Sequence, residues 1–129
     1  MFAAAVGGEA EVAGALYMDR DDIRFLGKSN MLGTHAHSHL PLAQLGGDEM
    51  VRDIALSMEI LADLGGQPVR GISFPYGGPD AVSDSVIRAC AGLGLAYGFT
   101  MQRGCNDLPD LQAPLQLKRI DCNDVADYV

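Results

Sequence analysis

The stretch GTHAHSHLPL, residues 33–42, contains all three histidines of the 129-residue chain within five positions. It follows a short predicted strand, Asn30 to Thr34, and open α/β sheets place their binding groups just beyond strand ends. Imidazole is a common ligand for zinc. His35 and His39 are four residues apart, so a helical turn would put both rings on one face, whereas an extended segment would align all three histidines, His37 included. The sequence therefore predicts a metal site here and leaves its local geometry open.

The histidine pattern also resembles the start of two other classes of metal-dependent hydrolase. Metallo-β-lactamase-like hydrolases begin with T-H-x-H-x-D-H and amidohydrolase-type barrels with H-x-H, and both require further histidines downstream. No histidine follows His39, so neither class is favoured. The remaining alternative to a metal site is a loop with three surface histidines, one of which could cap a backbone carbonyl.

Short apolar runs alternate with amphipathic segments along the chain, which is typical of an α/β fold with parallel strands and right-handed crossovers. The clearest helix runs from Asp48 to Leu64, with Asp48 as its predicted N-cap and Gly65-Gly66 as its end. The other predicted helices are Asp19 to Leu26 and one that begins near Ser83. The predicted strands are residues 1–6, Asn30 to Thr34, Val69 to Phe74, Leu95 to Thr100 and Leu115 to Ile120.

Charge and composition limit the classes of partner. The formal net charge is −8 and the pI is near 4.5, which disfavours binding to nucleic acids and to anionic membranes. No apolar run approaches the roughly 20 residues that span a bilayer. Cys90, Cys105 and Cys122 are widely spaced and form no metal or disulfide pattern, so we expect free thiols. Free thiols and the absence of a visible export signal favour the cytoplasm.

Residues 33–42 resemble the G-x-H-x-x-S-H-x-x-L segment of the polysaccharide deacetylases, carbohydrate esterase family 4. The segment Phe74-Pro75-Tyr76-Gly77, which follows a helix and a strand, resembles the next motif of that family. Gly94 to Thr100 and Lys118 to Asp121 resemble two later stretches. The resemblance runs through most of residues 1–129, and it implies one domain that forms a partial, distorted (β/α) barrel with mostly parallel strands.

The resemblance also implies an activity and the residues that carry it. His35 and His39 would hold a divalent metal, usually zinc in the family, and the backbone N–H of Tyr76 would stabilise the oxyanion. Phe74 and Pro75 would lie in the substrate-binding region. The implied activity is metal-dependent hydrolysis of N- or O-acetyl groups on a carbohydrate.

Three parts of the family pattern are missing from this chain. The T-F-D-D-G motif, which supplies a metal-ligand aspartate and a catalytic-base aspartate, should precede the strand at residues 1–6, so we expect an N-terminally incomplete domain. The usual arginine two positions before the proline is Ser73 here. The late L-x-x-H motif, which supplies the general acid, is absent because no histidine follows His39.

Another carboxylate would have to take the place of the missing aspartates. Asp19, Asp21 and Asp22 precede a predicted helix, and we expect them to cap it. Asp121 and Asp124 lie far along the chain and would reach the histidines only if the barrel curls around.

Two hypotheses from different classes therefore follow from the sequence. The first is a metal-dependent sugar deacetylase. The second is a catalytically inactive relic that binds a carbohydrate or a protein. An unpaired sheet edge in an incomplete barrel would favour a homo-oligomer in either case.

Overall fold

A computed structural model describes residues 8–127 of the chain. In that range three strands pair in parallel in the order β1-β2-β3. The strands are β1 (Gly71–Ser73), β2 (Tyr97–Arg103) and β3 (Leu117–Arg119). The prediction of an α/β fold with parallel strands is confirmed, and the strand predicted for residues 1–6 lies outside the described residues.

Four α-helices accompany the sheet within residues 8–127, together with short 3-10 turns. The helices are α1 (Glu9–Leu16), α2 (Arg20–Lys28), α3 (Gly47–Gly65) and α4 (Asp84–Gly92). The turns are Leu42–Gln44, Asp110–Gln112, Pro114–Gln116 and Cys122–Asp127. In this part of the chain no helix has the length and apolar character needed to cross a bilayer.

Helix α2 begins where its acidic residues can satisfy its first amides. The Asp19 carboxylate accepts hydrogen bonds from the backbone N–H of Asp21 at 2.8 Å and of Asp22 at 2.9 Å. The Asp22 carboxylate accepts one from the Asp19 N–H at 3.1 Å, which completes a capping box. The prediction that these residues cap a helix is confirmed for Asp19 and Asp22.

Helix α3 is the longest described element and packs its buried face on the core. Its bounds lie within one residue of the prediction at each end, and Gly66 ends it at a φ of 71°, in the left-handed region that glycine adopts without strain. The predicted N-cap was wrong, because Gly46 takes that position and Asp48 lies in the first turn. Gly27 of α2 lies so close to the Gly65 backbone that a Cβ atom there would collide with it.

The core lies between one face of the sheet and helices α3 and α4. Its fully buried side chains include Leu42, Ile54, Ile72, Phe74, Val86 and Cys90. The prediction of a strand from Asn30 to Thr34 was wrong, since only Thr34 pairs, through a single bridge to Ile72. Sheet pairing needs a partner strand, and the residues before Thr34 have none in the described structure.

Both outer edges of the described sheet are partly occupied. On the β1 side, the Thr34 N–H donates to the Gly71 carbonyl and the Ser73 N–H donates to the Thr34 carbonyl, each at 2.9 Å. On the β3 side, the Asn106 side chain accepts from the Lys118 N–H and donates to the Lys118 carbonyl, each at 2.9 Å. The amide of Asn106 thus takes the place of a neighbouring strand at Lys118, and the homo-oligomer expected from an incomplete barrel stays a prediction.

Replacement of Asn106 by Ala should expose the Lys118 peptide group at the sheet edge. We expect a lower urea midpoint and concentration-dependent self-association, because an exposed edge pairs with other chains. Urea denaturation and sedimentation velocity measure the two effects. Asn123→Ala is the control, because the Asn123 side chain donates to the nearby Asp121 carboxylate; equal behaviour of the two variants would contradict the assignment.

Candidate functional site

The histidine loop starts from a buried and hydrogen-bonded threonine. Thr34 is 1% exposed, and its hydroxyl donates to the Ser57 hydroxyl of α3 at 2.7 Å. The same oxygen accepts from the Ala36 N–H at 3.1 Å. Together with the bridge to β1, these contacts fix where the loop leaves the sheet.

Residues 35–39 adopt neither of the two local geometries that the spacing suggested. Ala36 has a φ of 60° and His39 a φ of 57°, so the backbone enters the left-handed region twice. Non-glycine residues rarely occupy this region. The loop nevertheless brings the rings of His35 and His39 together, with their centroids 4.9 Å apart.

Asp53 of α3 holds this loop through two hydrogen bonds. One carboxylate oxygen accepts from the His37 N–H and the other from the Ser38 N–H, each at 3.0 Å. Sequence reasoning missed this residue. One signal in the sequence could have indicated it. Asp53 lies on the same helix face as the apolar residues Met50 and Ile54, and a carboxylate that packs inward needs a hydrogen-bond partner.

The ring of His35 is fixed by a backbone carbonyl. Its Nδ1 lies 2.6 Å from the Ser73 carbonyl oxygen at the end of β1. Because a carbonyl only accepts, Nδ1 donates to it, and in the neutral imidazole the lone pair then lies on Nε2. Histidines that bind metals are commonly oriented in this way.

Tyr76 lies at a strained turn directly after β1. Its φ is 61°, and the Gly77 N–H donates to the Pro75 carbonyl at 2.7 Å. An i to i+2 hydrogen bond across a residue with positive φ is typical of the rare classic γ-turn. Among residues 8–127 no acceptor is found for the Tyr76 N–H. The Tyr76 side chain is 61% exposed, and its ring centroid lies 5.3 Å from that of His39.

Gly77 ties this turn to the central strand. Its carbonyl accepts from the Met101 N–H at 2.8 Å, and its φ of 59° lies in the left-handed region. A Cβ atom at Gly77 would lie 2.8 Å from the Met101 nitrogen, so only glycine fits. Positive φ at both Tyr76 and Gly77 makes this a strained turn beside the histidines, and its role in a site stays a prediction.

The structure brings together three of the residues named from the sequence and places two others beneath them. His35, His39 and Tyr76 form one exposed cluster, whereas Phe74 and Pro75 are buried. Because both side chains are buried, we infer that they stabilise the turn. Direct contact of Phe74 and Pro75 with a substrate stays a prediction.

No carboxylate completes a metal site in the part of the chain that is described. No group of three His, Cys, Asp or Glu side chains that could hold an ion occurs there. Asp121 instead lines a cleft with Arg103 and Arg119, and hydrogen bonding from the Asn123 backbone holds the pKa of Asp121 below its usual value. The side chain of Asp124 lies outside the described part.

Cys90 offers no alternative nucleophile. Burial raises the pKa of the Cys90 thiol to about 11, so it stays protonated and unreactive at neutral pH. Cys105 and Cys122 are exposed free thiols.

The family model for polysaccharide deacetylases matches residues 18–98, which include every residue of this cluster. The chain belongs to the polysaccharide deacetylase family. The resemblance carried by the histidine and Phe-Pro-Tyr-Gly motifs is therefore confirmed, and with it membership of a family of hydrolases and carbohydrate esterases. No curated protein matches the chain.

Solved structures of deacetylases share this fold. The Streptococcus pyogenes deacetylase PplD, in complex with acetate, is 22% identical with a TM-score of 0.71 over 89% of this chain and 49% of its own. The deacetylase domain of Bordetella bronchiseptica BpsB is 22% identical with a TM-score of 0.66 over 81% of this chain and 48% of its own. The family 4 carbohydrate esterase from Streptomyces lividans, in complex with acetate, is 21% identical with a TM-score of 0.55 over 65% of this chain and 42% of its own. The chain thus spans about half the length of the first two of these structures.

Replacement of Asp53 by Ala should release the histidine loop, residues 35–39, from helix α3. Loss of two charge-assisted hydrogen bonds should lower the free energy of unfolding by about 1–3 kcal/mol. Urea denaturation measures the loss, and the amide NMR shifts of His37 and Ser38 locate it. Asp63→Ala is the matched control, because Asp63 is exposed on the same helix; equal losses in both variants would refute the role of Asp53.

The adjacent glycines Gly77 and Gly78 allow a second comparison of stability, because a side chain would be crowded at one and not at the other. Gly77→Ala should destabilise the chain by about 1–3 kcal/mol, because alanine would be strained at positive φ and would crowd the Met101 backbone. Gly78→Ala should have little effect, because nothing lies within 4 Å of its Cβ position. Chemical denaturation of both variants tests the turn geometry, and a Gly77→Ala variant as stable as Gly78→Ala would contradict it.

Proposed function

We propose that this chain carries part of the active site of a metal-dependent hydrolase that removes N- or O-acetyl groups from a carbohydrate. His35 and His39 would hold a divalent metal ion, zinc by preference, and the Tyr76 N–H would bind the developing oxyanion. The observation that carries the proposal is the convergence of these three residues, with ring centroids 4.9 and 5.3 Å apart. Family membership supplies the chemical class.

The donor atoms suit the imidazole half of a zinc site. The hydrogen bond to the Ser73 carbonyl uses Nδ1 of His35, so the metal ligand would be Nε2 of the neutral imidazole. When bound, a zinc ion polarises the acetyl carbonyl and lowers the pKa of a water ligand toward about 7. Catalytic zinc sites commonly use three protein ligands, and the described residues provide two.

The Tyr76 turn supports the role of an oxyanion donor. Its backbone N–H has no protein acceptor among the described residues, and it is held in place by a hydrogen bond on each side of Gly77. A donor of this kind needs no reorganisation when charge develops on the substrate oxygen, and one such donor contributes about 3 kcal/mol. Exposure of Tyr76 leaves room for a substrate at the surface.

An acetylated carbohydrate is the substrate class that fits both the family and its solved members. The Streptococcus pyogenes and Streptomyces lividans proteins were each solved with acetate, the product of deacetylation. Water adds to the acetyl carbonyl carbon, the bond from that carbon to the sugar nitrogen or oxygen breaks, acetate is released, and a proton from the water passes to the sugar amine or hydroxyl. A carboxylate base would assist the attack.

The second candidate function is a catalytically inactive module that binds a carbohydrate or a protein. The observation in its favour is that no carboxylate joins the two histidines within residues 8–127. Such a module would keep the fold and hydrolyse no acetyl group.

Calorimetric zinc titration of the His35→Ala, His39→Ala and His37→Ala variants tests the metal site. We expect the first two to weaken zinc binding by about tenfold or more. His37→Ala should leave binding nearly unchanged, since His37 contributes its backbone N–H to Asp53. Equal dependence on all three histidines, or no binding by the unaltered chain, would contradict the proposed ligands.

A second assay distinguishes the hydrolase from the inactive binding module. It measures acetate release from an N-acetylated chitooligosaccharide by the zinc-loaded chain. Turnover that disappears with His35→Ala supports the hydrolase. Zinc binding without acetate release supports the binding module.

A further inference from the structure

A cleft of about 390 Å³ begins one residue beyond Tyr76. Gly77 and Gly78 line it on the side of the turn, and Gln102 of β2 and Gln116, just before β3, line it on the side of the sheet. We call it the glutamine cleft. Because neighbouring Cα atoms are about 3.8 Å apart, the cleft lies next to the Tyr76 N–H that we assign to the oxyanion.

The backbone holds both glutamines of the cleft in place. The Gln102 N–H donates to the Thr100 hydroxyl at 3.2 Å, and that hydroxyl donates to the Leu117 carbonyl at 3.2 Å. The Gln116 N–H donates to the Ala113 carbonyl at 2.8 Å. Both glutamine side chains are exposed, and each primary amide offers two N–H donors and one acceptor oxygen. A sugar hydroxyl both donates and accepts, so these amides match its hydrogen-bonding groups.

The rest of the cleft supplies apolar surface. Pro79, Val82 and Met101 line it beside the two amides. A pyranose ring presents C–H groups on its faces and hydroxyls on its edge, so it needs both kinds of lining. Sites for small molecules commonly combine apolar walls with a few polar groups in a volume of about 300–1,000 Å³, and this cleft lies within that range.

The lining of the cleft is also uncharged. Within residues 8–127, no acidic or basic side chain lines it, although the chain carries 17 acidic and 9 basic residues. An acidic sugar would find no cation there, and a protonated amino sugar would find no carboxylate. Because an unpaired charge is costly to remove from water, the cleft favours a neutral occupant.

We propose that the glutamine cleft binds an uncharged sugar unit of the substrate, next to the unit that loses its acetyl group. This inference rests on the proposed function, which supplies the carbohydrate. An N-acetylated neighbouring unit is neutral and fits the cleft, whereas a deacetylated neighbouring unit carries a protonated amine and does not. The cleft would therefore direct the chain to carbohydrate whose neighbouring units are still acetylated.

Titration of the isotope-labelled chain with N-acetylated chitotriose, followed by NMR at slightly acidic pH without zinc, tests this inference. We expect saturable shifts of the side-chain amide signals of Gln102 and Gln116. Fully deacetylated chitotriose, whose amines are then protonated, should leave these two signals unchanged. Gln102→Ala and Gln116→Ala should each weaken binding by about three- to tenfold, the loss expected for one or two hydrogen bonds. Gln112→Ala is the matched control, because Gln112 is exposed and lies outside the cleft.

A glycine substitution blocks the cleft without crowding the fold. Nothing lies within 4 Å of the Cβ position of Gly78, and its φ is not positive, so Gly78→Leu places a side chain in open space at the cleft wall. Gly92 of α4 has the same two properties outside the cleft, and Gly92→Leu is the control. We expect Gly78→Leu to abolish binding of N-acetylated chitotriose and Gly92→Leu to retain it, with similar thermal unfolding of both variants.

The possible failures are distinguishable. Shifts confined to the signals of the histidine loop and Tyr76, equal binding of the deacetylated trimer in the cleft, or equal weakening by Gln112→Ala would overturn the glutamine cleft and leave the proposed active site standing. Saturable binding in the cleft by a chain that binds no zinc at His35 and His39 would retain the sugar site and overturn the metal-dependent hydrolase. No binding of the acetylated trimer at all would overturn the cleft, and the zinc titration would then decide the proposed function by itself.

Discussion

The paired hydrogen bonds from the His37 and Ser38 amides to Asp53 are the constraint on which the site depends. They tie an irregular loop to the most extensive helix of the described structure, α3, 15 and 16 residues further along the chain. The Thr34–Ser57 hydrogen bond joins the same loop to the same helix one turn later. The position of the histidines is thus set by α3 and β1 rather than by the loop's own conformational preference.

Such anchoring matters because the site is strained. Of the four non-glycine residues with positive φ in residues 8–127, three belong to it: Ala36, His39 and Tyr76. Each such residue costs on the order of 1–3 kcal/mol, so it persists only where surrounding contacts determine the backbone. The buried residues Phe74 and Pro75 hold the backbone that leads into Tyr76, and Asp53 holds the backbone of the histidine loop.

The sequence was sufficient for features that depend on local pattern and insufficient for those that depend on distant contacts. Helix α3 was predicted within a residue at each end because its apolar spacing is periodic, and the two motifs identified the family. Asp53 was missed because its role appears only when the loop folds back onto the helix. The geometry of the His35–His39 pair could not be predicted either, since alanine and histidine give no signal for positive φ.

We propose that a loop held by Asp53 presents His35 and His39 as one metal site beside Tyr76. Anomalous diffraction at the zinc absorption edge, from crystals of this chain grown with zinc, would locate the bound ion. We predict an anomalous peak between the imidazole rings of His35 and His39, on the side of Nε2 of His35. A peak on His37 or the exposed cysteines, with none at the pair, would contradict it.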